Sequence, residues 1–212
     1  MKKLKIHLIA EAFVGDANGV TTAILELKSS IQSDKDFELI DNCHDADVIH
    51  AHTIGLDYIK QSYKYKDKMV VSAHVVPDSF IGSLIFSRLW QPIAKQYLKF
   101  VYNRSSAVIG VSPQVKKDLA AIGVRSKIHV LCNSVNRDKF KPDSSLRKTF
   151  RKKHKLNNEF VVTCVGQIQP RKGIYDFIET AKKCPEITFM WVGGTPFKGL
   201  TADYKKLQGV VE

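Results

Sequence analysis

The chain has 212 residues, of which 44% are hydrophobic and 25% charged, and 33 basic against 21 acidic side chains give it a net charge of +12. This is a soluble globular composition, long enough for one large domain or for one domain and a piece of another. No apolar run approaches the ~20 residues needed to cross a bilayer, which excludes a membrane-spanning helix.

The amino-terminal MKKLKIHLIAEAF carries lysines ahead of an apolar stretch, as a signal peptide does. His7 and Glu11 interrupt that stretch and no small-residue cleavage site follows, so it reads as a buried first strand over 5–13. A loop with Gly15, Asp16, Asn18 and Gly19 leads to a helix in which Ala23, Ile24, Leu27 and Ile31 recur at helical spacing. FELI (37–40) and ADVIHAHT (46–53) read as strands, LDYIKQSYKYK as a helix, and KMVVSAHV (68–75) as the fourth strand. The stretch SFIGSLIFSRLWQPIAKQYLKFVYNRS reads as one kinked helix or two, with Pro92 at the break. SAVIGVS (106–112) is a strand. Pro113 then opens a helix capped by Ser112 and stopped at Gly123. KIHVLCNS (127–134) is the sixth strand. Apolar strands alternating with helices imply a parallel sheet, here a Rossmann-like domain over 1–136.

Residues 137–155 hold nine Lys or Arg against Asp138 and Asp143. Such a run is either a solvated linker or helix face, or a surface for an anionic membrane, a nucleic acid or a polyphosphate. No recognition motif for nucleic acid accompanies the charge, so no nucleic-acid partner is expected. After this linker (137–158) the pattern restarts: EFVVTCVG (159–166) is a strand, QIQPRKG a turn, IYDFIETAKKC a helix and ITFMWVGG (187–194) a strand. A second α/β domain over 159–212 has begun, with too few strands to enclose a core of its own. The four cysteines, Cys43, Cys132, Cys164 and Cys184, form no CxxC pair, and reduced thiols in a cytosolic protein are the simplest account.

Ligands of parallel sheets bind beyond the carboxyl ends of the strands. Three histidines stand there: His50 and His52, on one face of their strand by its period of two, and His74. Neutral imidazoles bind zinc, but no Cys, Asp or Glu completes a ligand pattern, and no metal or other cofactor is expected. The remaining readings are contact with a ligand in the cleft or burial against backbone. Asp78, four residues after His74, is a further candidate for the cleft. In the second domain the turn Gln167–Gly173 lies between a strand and a helix amino terminus, where the helix dipole favours an anion and Arg171 and Lys172 add charge. The stretch Arg88–Arg104 interleaves Leu89, Trp90, Ile93, Tyr97, Phe100 and Val101 with Lys and Arg. It suits either an anionic bilayer surface or a core-facing helix with a wet basic face.

Three segments resemble the GT4 glycosyltransferases of the GT-B fold: AVIGVSPQVKKDLAAIGV with KIHVLCNSVNRDKFKP (107–142), VGQIQPRKGIYDFIETA (165–181) and ANGVTT (17–22). The ending FIETAKKCPEITFMWVGG resembles the subgroup that glycosylates diacylglycerol or glycosyl-diacylglycerol. The resemblance implies an α/β fold of GT-B type, in which a Rossmann-like amino-terminal domain is followed by the first β-α-β portion of a second. It implies retaining transfer of a hexose from a UDP-sugar to a membrane lipid acceptor, by a cytoplasmic enzyme held peripherally on the inner face of the membrane. By the same resemblance His74 hydrogen-bonds a hydroxyl of the transferred sugar and helps position the acceptor. Lys172 matches the family lysine on the donor phosphates and Gly19 the family glycine loop; Gly166, Gln167 and Arg171, in the same turn as Lys172, are candidates for the donor phosphate site, and His50, His52, Asp78 and Asn133 are candidates for the cleft. The family places an arginine directly after the strand glycine; here Gln167 stands there, so that either Arg171 supplies the missing charge or the donor site is weaker. The family's Glu-x7-Glu segment has no place after Glu212. The alternative expectation is therefore an inactive fragment, or a half-enzyme needing a second polypeptide to complete the donor domain.

Overall fold

The computed structural model describes residues 2–11, 19–80, 83, 87–195 and 198–211. Contacts divide the chain into two compact units, one of 1–80 with 88–134, the other of 81–87 with 135–212. The glycine-loop residues Ala17 and Asn18, and the loop's Gly15 and Asp16, lie outside the described residues.

Among the described residues the first unit is built on a six-stranded parallel sheet: β1 (Leu4–Ile9), β2 (Phe37–Leu39), β3 (Val48–Ala51), β4 (Met69–Ala73), β5 (Ala107–Gly110) and β6 (Lys127–Val130). Their order is β2-β1-β3-β4-β5-β6. Successive strands leave β1 in opposite directions, so the switch point of the topology lies between β1 and β3. Four helices alternate with the strands: α1 (Gly19–Ser33), α2 (Leu56–Lys64), α3 (Ser87–Tyr102) and α4 (Pro113–Ala121). The core is apolar on both contributing layers, with Ile9, Ile49, Met69, Val71 and Val108 from strands and Tyr58, Leu98, Val101 and Leu119 from helices. Its two buried phenols are satisfied: Tyr58 donates to the Val101 carbonyl at 2.6 Å and Tyr102 to the Val75 carbonyl at 2.7 Å. Neither hydroxyl therefore incurs the cost of an unpaired buried group.

Local chemistry explains α4. The Ser112 side chain accepts from the Val115 amide, Pro113 holds the first helical position, and Gly123 follows the helix with φ +87°. Pro92, in contrast, does not break α3, which runs through it. It lies in the second turn, where its missing N–H removes a single bond close to the helix start. α3 has one side packed in the core and an exposed apolar side. Ala94, Leu98, Val101 and Tyr102 are buried, whereas Leu89, Ile93 and Phe100 are exposed on another face.

In the second unit the basic run forms α5 (Ser144–Lys153), capped by the Asp143 carboxylate on the Ser145 and Leu146 amides, with no buried residue. β7 (Val161–Val165) and β8 (Thr188–Val192) pair in parallel, followed respectively by α6 (Ile174–Lys183) and α7 (Tyr204–Val211). Phe177 of α6 meets Phe189 and Trp191 of β8 edge-on, at 5.3 and 5.2 Å between centroids. The buried cluster here is Ile168, Ile174 and Leu207.

Candidate functional site

At the carboxyl ends of β3 and β4 the parallel register brings three imidazoles together. Ala51 pairs with Val71, so the residues just beyond, His52 and Ser72, lie side by side. His50 Nε2 is 2.8 Å from Ser72 Oγ, and His52 Nδ1 is 3.1 Å from His74 Nε2. The ring centroids are 4.4 Å apart for His50 and His52 and 5.3 Å for His52 and His74. Burial pushes His50 down to about 4 and His52 to about 3, with repulsion between the rings adding to it, and burial lowers His74 as well. All three are neutral at neutral pH. In the His52–His74 contact one nitrogen donates and the other accepts, which ties the tautomer of one ring to that of its neighbour. His52 is only 7% exposed, and its Nε2 is buried without a hydrogen-bond partner among the described residues.

His50 and His52 border a cavity of about 130 Å³ with Ser72, Glu26 of α1 and Asn133 beyond β6. The structure therefore brings together three of the four cleft residues expected from the sequence. Asp78 is elsewhere: it accepts from Gln91 Nε2 at 2.9 Å and borders a separate hollow with Lys95 and Asp118. Gly19 is the first residue of α1 and is exposed, with open space where a β-carbon would project. Ser72 and Glu26 were not found from the sequence. Ser72 could have been, since it is a polar residue near the carboxyl end of β4, two residues before His74. Glu26 reaches the cavity only through the packing of α1, which no local pattern encodes. Among the described residues no group of three or more His, Cys, Asp or Glu is arranged to hold a metal ion.

The turn after β7 is a backbone construction. Gly166 N donates to the Val192 carbonyl and Ile168 N to the Gly194 carbonyl, both at 2.9 Å, which extends the β7–β8 ladder past the strands. Trp191 Nε1 donates to the Gly166 carbonyl at 2.8 Å. Gln169 is fully buried and its amide donates to Gln167 Oε1 at 3.0 Å, so the neutral Gln167 serves to lock the turn. Pro170–Lys172 form a short 3-10 turn, and Gly173, with φ +78°, turns the chain into α6 without a side-chain cap. The first amides of α6 are thus left for an external acceptor. The stem of Lys172 lies over Gly166, 3.9 Å from where a β-carbon would sit, while its exposed end adds charge near the same turn. Arg171 Nε donates to Ser83 Oγ at 2.7 Å, which orients its guanidinium.

The model of Glycosyltransferase Family 4 matches residues 25–139, more than half of the chain. The chain belongs to this glycosyltransferase family. A curated relative from Streptococcus pneumoniae, named alpha-galactosylglucosyldiacylglycerol synthase, is 33% identical over 100% of the chain and 59% of its own length. A processive diacylglycerol alpha-glucosyltransferase from Acholeplasma laidlawii is 30% identical over 69% of the chain and 45% of its own length. The family 4 chain therefore spans about three-fifths of the first of these relatives. Among solved structures, Anabaena Alr3699/HepE, crystallised in complex with UDP-glucose, superposes with a TM-score of 0.71 at 18% identity, over 98% of this chain and 65% of that one. The likeness shows a fold of GT-B type, as the segments around Ser112–Pro113 and Gly166–Gly173 imply.

Proposed function

We propose that this family 4 chain serves the transfer of a hexose from a UDP-sugar to diacylglycerol or a glycosyl-diacylglycerol, with retention at the anomeric carbon. The observation that carries the reading is the neutral histidine cluster at the carboxyl ends of β3 and β4. A neutral imidazole whose tautomer is set by a neighbour can donate to or accept from a sugar hydroxyl without adding charge to the site. His74, half-buried where His52 is buried, takes that role in this reading, with His52 as the positioning residue beside it. The diphosphate, which gains negative charge as the glycosidic bond breaks, is assigned to the uncapped amino terminus of α6 with Lys172 and Arg171. Fixed positive charge performs this without proton transfer, and the reading needs no metal. The names of both curated relatives support a diacylglycerol-based acceptor and an alpha linkage. The complex of HepE supports UDP as the carrier.

A lipid acceptor implies work at a membrane surface, which we take to be the inner face of the cell membrane. No helix among the described residues is long and apolar enough to cross a membrane. The net charge of +12 and the basic α5 support peripheral attachment to anionic lipid.

A second observation bears on completeness. Val165 is 77% exposed and Phe160 69%, and Val192 is exposed as well, so the β7–β8 sheet leaves large apolar side chains uncovered. Further polypeptide, continuous with this chain or separate, would cover them. Residues 1–212 alone are accordingly expected to give little or no turnover with UDP-glucose; robust turnover by them would overturn this part of the reading.

With that further polypeptide supplied, radiolabelled hexose is expected to pass from the UDP-sugar to diacylglycerol-containing vesicles. His74→Ala should lower the rate by roughly 10²-fold. Label found only on soluble acceptors would overturn the lipid assignment, and an unchanged rate would overturn the role of His74. Lys172→Ala should weaken UDP binding about tenfold in titration calorimetry, the loss of one charge-assisted contact; unchanged affinity would remove Lys172 from the phosphate site.

A further inference from the structure

The parallel sheet has a second end, which the transfer reading does not use. At the amino ends of β4, β5 and β6 the first unit forms an open basin of about 850 Å³. It is lined by Lys66 ahead of β4, Lys99 and Arg104 at the end of α3, and Arg125 and Lys127 at the entry to β6, and by no acidic side chain. A strand of this length advances ~3.3 Å per residue, which puts the basin roughly 15 Å from the histidine cluster.

The basin is arranged for charge rather than for hydroxyl recognition. Its three serines have spent their protons on carbonyls: Ser105 on Tyr102 at 2.9 Å, Ser106 on Met69 at 2.7 Å and Ser126 on Ser105 at 2.7 Å. The Asn103 carboxamide is also engaged, accepting from the Arg125 and Ser126 amides and donating to the Gly123 carbonyl. What remains is cationic. Arg104 is fixed, its Nε donating to Ser62 Oγ at 2.9 Å and its guanidinium 3.4 Å from the Tyr63 ring centroid. Lys66, Lys99, Arg125 and Lys127 form no ion pair among the described residues. Five like charges around one basin repel one another, and an anion that makes few stereochemical demands relieves that repulsion.

An apolar feature adjoins the charges. Phe100, 44% exposed, borders the basin, and Ile93 at 74% and Leu89 at 78% continue its stripe along α3. These positions fall on one helix face, separate from the face buried in the core. α3 returns from the end of β4 to the start of β5, which are parallel, so it runs back along the sheet. Its stripe therefore extends from the carboxyl end of the sheet, near Leu89, to the basin at Phe100. A cationic basin at one end of an exposed apolar stripe fits a surface that is anionic outside and apolar beneath.

We propose that the basin seats the phosphate group of an anionic phospholipid, while Leu89, Ile93 and Phe100 enter the acyl boundary. Docked along α3, the first unit keeps the carboxyl end of its sheet beside the bilayer, where a lipid acceptor would be met. The inference deepens the lipid-acceptor reading and rests on it only for the presence of a bilayer.

The test is co-sedimentation of the chain with phosphatidylcholine vesicles, with and without phosphatidylglycerol. Two triple variants are compared: Lys99→Glu/Arg125→Glu/Lys127→Glu in the basin, and Lys148→Glu/Lys152→Glu/Lys153→Glu on α5, which carries the same change of net charge. The wild type is expected to bind only the anionic vesicles, and the basin variant to lose more than about tenfold in partitioning. The α5 variant should lose several-fold less. Equal losses would show a diffuse charge effect and overturn the basin. So would wild-type binding by the basin variant, or inorganic phosphate at millimolar concentration displacing the protein completely. Leu89→Ser/Ile93→Ser, which leaves the charges intact, should also weaken binding; no effect would remove the apolar stripe. UDP binding by the basin variant distinguishes the two readings. Preserved UDP affinity with lost vesicle binding separates docking from donor chemistry, and preserved vesicle binding overturns the docking site whatever the transfer assay gives.

Discussion

Gly193→Ala is expected to unfold the second unit. Gly193 has φ +150°, a conformation that strains any other residue. A β-carbon there would sit 1.9 Å from the Gly166 carbonyl oxygen and 2.7 Å from its carbon. Both atoms are backbone, and Gly166 is tied to β8 through its amide and through Trp191 Nε1, so neither can give way alone. Strain and clash together cost about 3–5 kcal/mol. The unit has little with which to absorb that, because its buried apolar cluster is Ile168, Ile174 and Leu207. Limited proteolysis should therefore cut the variant rapidly within the basic and carboxyl-terminal segments, and UDP binding should vanish. Gly194→Ala is the control, since nothing lies within 4 Å of its β-carbon position. It should cost less than about 1 kcal/mol. If the two variants melt and digest alike, the close approach of Gly193 to Gly166 is not a real constraint.

This glycine also marks where the sequence stopped being informative. Elements whose causes are local were legible. Ser112, Pro113 and Gly123 delimit α4 through capping and turn chemistry that act within a few residues, and the period of a strand was enough to put His50 and His52 on one face. Gly193 in the run WVGG reads only as the end of a strand. Its need for glycine comes from Gly166, far away in the chain, and from a ladder that closes only when β7 and β8 pair. The contact of His52 with His74 has the same origin in the register of β3 against β4. α3 illustrates a different limit. Its apolar residues are plain in the sequence, but periodicity does not say which of two apolar faces meets the core. Only the neighbours decide that, and they bury Leu98 and Val101 while leaving Leu89 and Ile93 outside. Asp78 was attached to the cleft by its closeness in sequence to His74, yet the short turn after β4 carries it to Gln91 instead.

The histidine cluster should make the first unit acid-sensitive in a defined window. In the unfolded chain a histidine titrates near 6.5; in the fold His50 titrates near 4 and His52 near 3, chiefly because burial opposes the charged form. Above pH 6.5 both states hold these rings neutral and they contribute no pH dependence. Below it the unfolded chain takes up protons that the folded chain refuses, so stability declines with falling pH until the folded values are reached. Each ring contributes a slope of up to about 1.4 kcal/mol per pH unit, which makes several kcal/mol between pH 6.5 and 4. Carboxylates of the chain titrate over part of the same range, so the wild-type profile alone does not isolate the effect. The double variant His50→Gln/His52→Gln does. It should be less stable than the wild type at pH 7.5, since it abandons the Ser72 and His74 contacts, but its denaturation midpoint should fall much less between pH 6.5 and 4.5. The two curves are expected to converge as the pH drops. Parallel curves would mean that the imidazoles are hydrated and free to charge in the folded state. They would then also be free to charge in the site, and the neutral hydrogen-bonding role assigned to His74 would lose its physical basis.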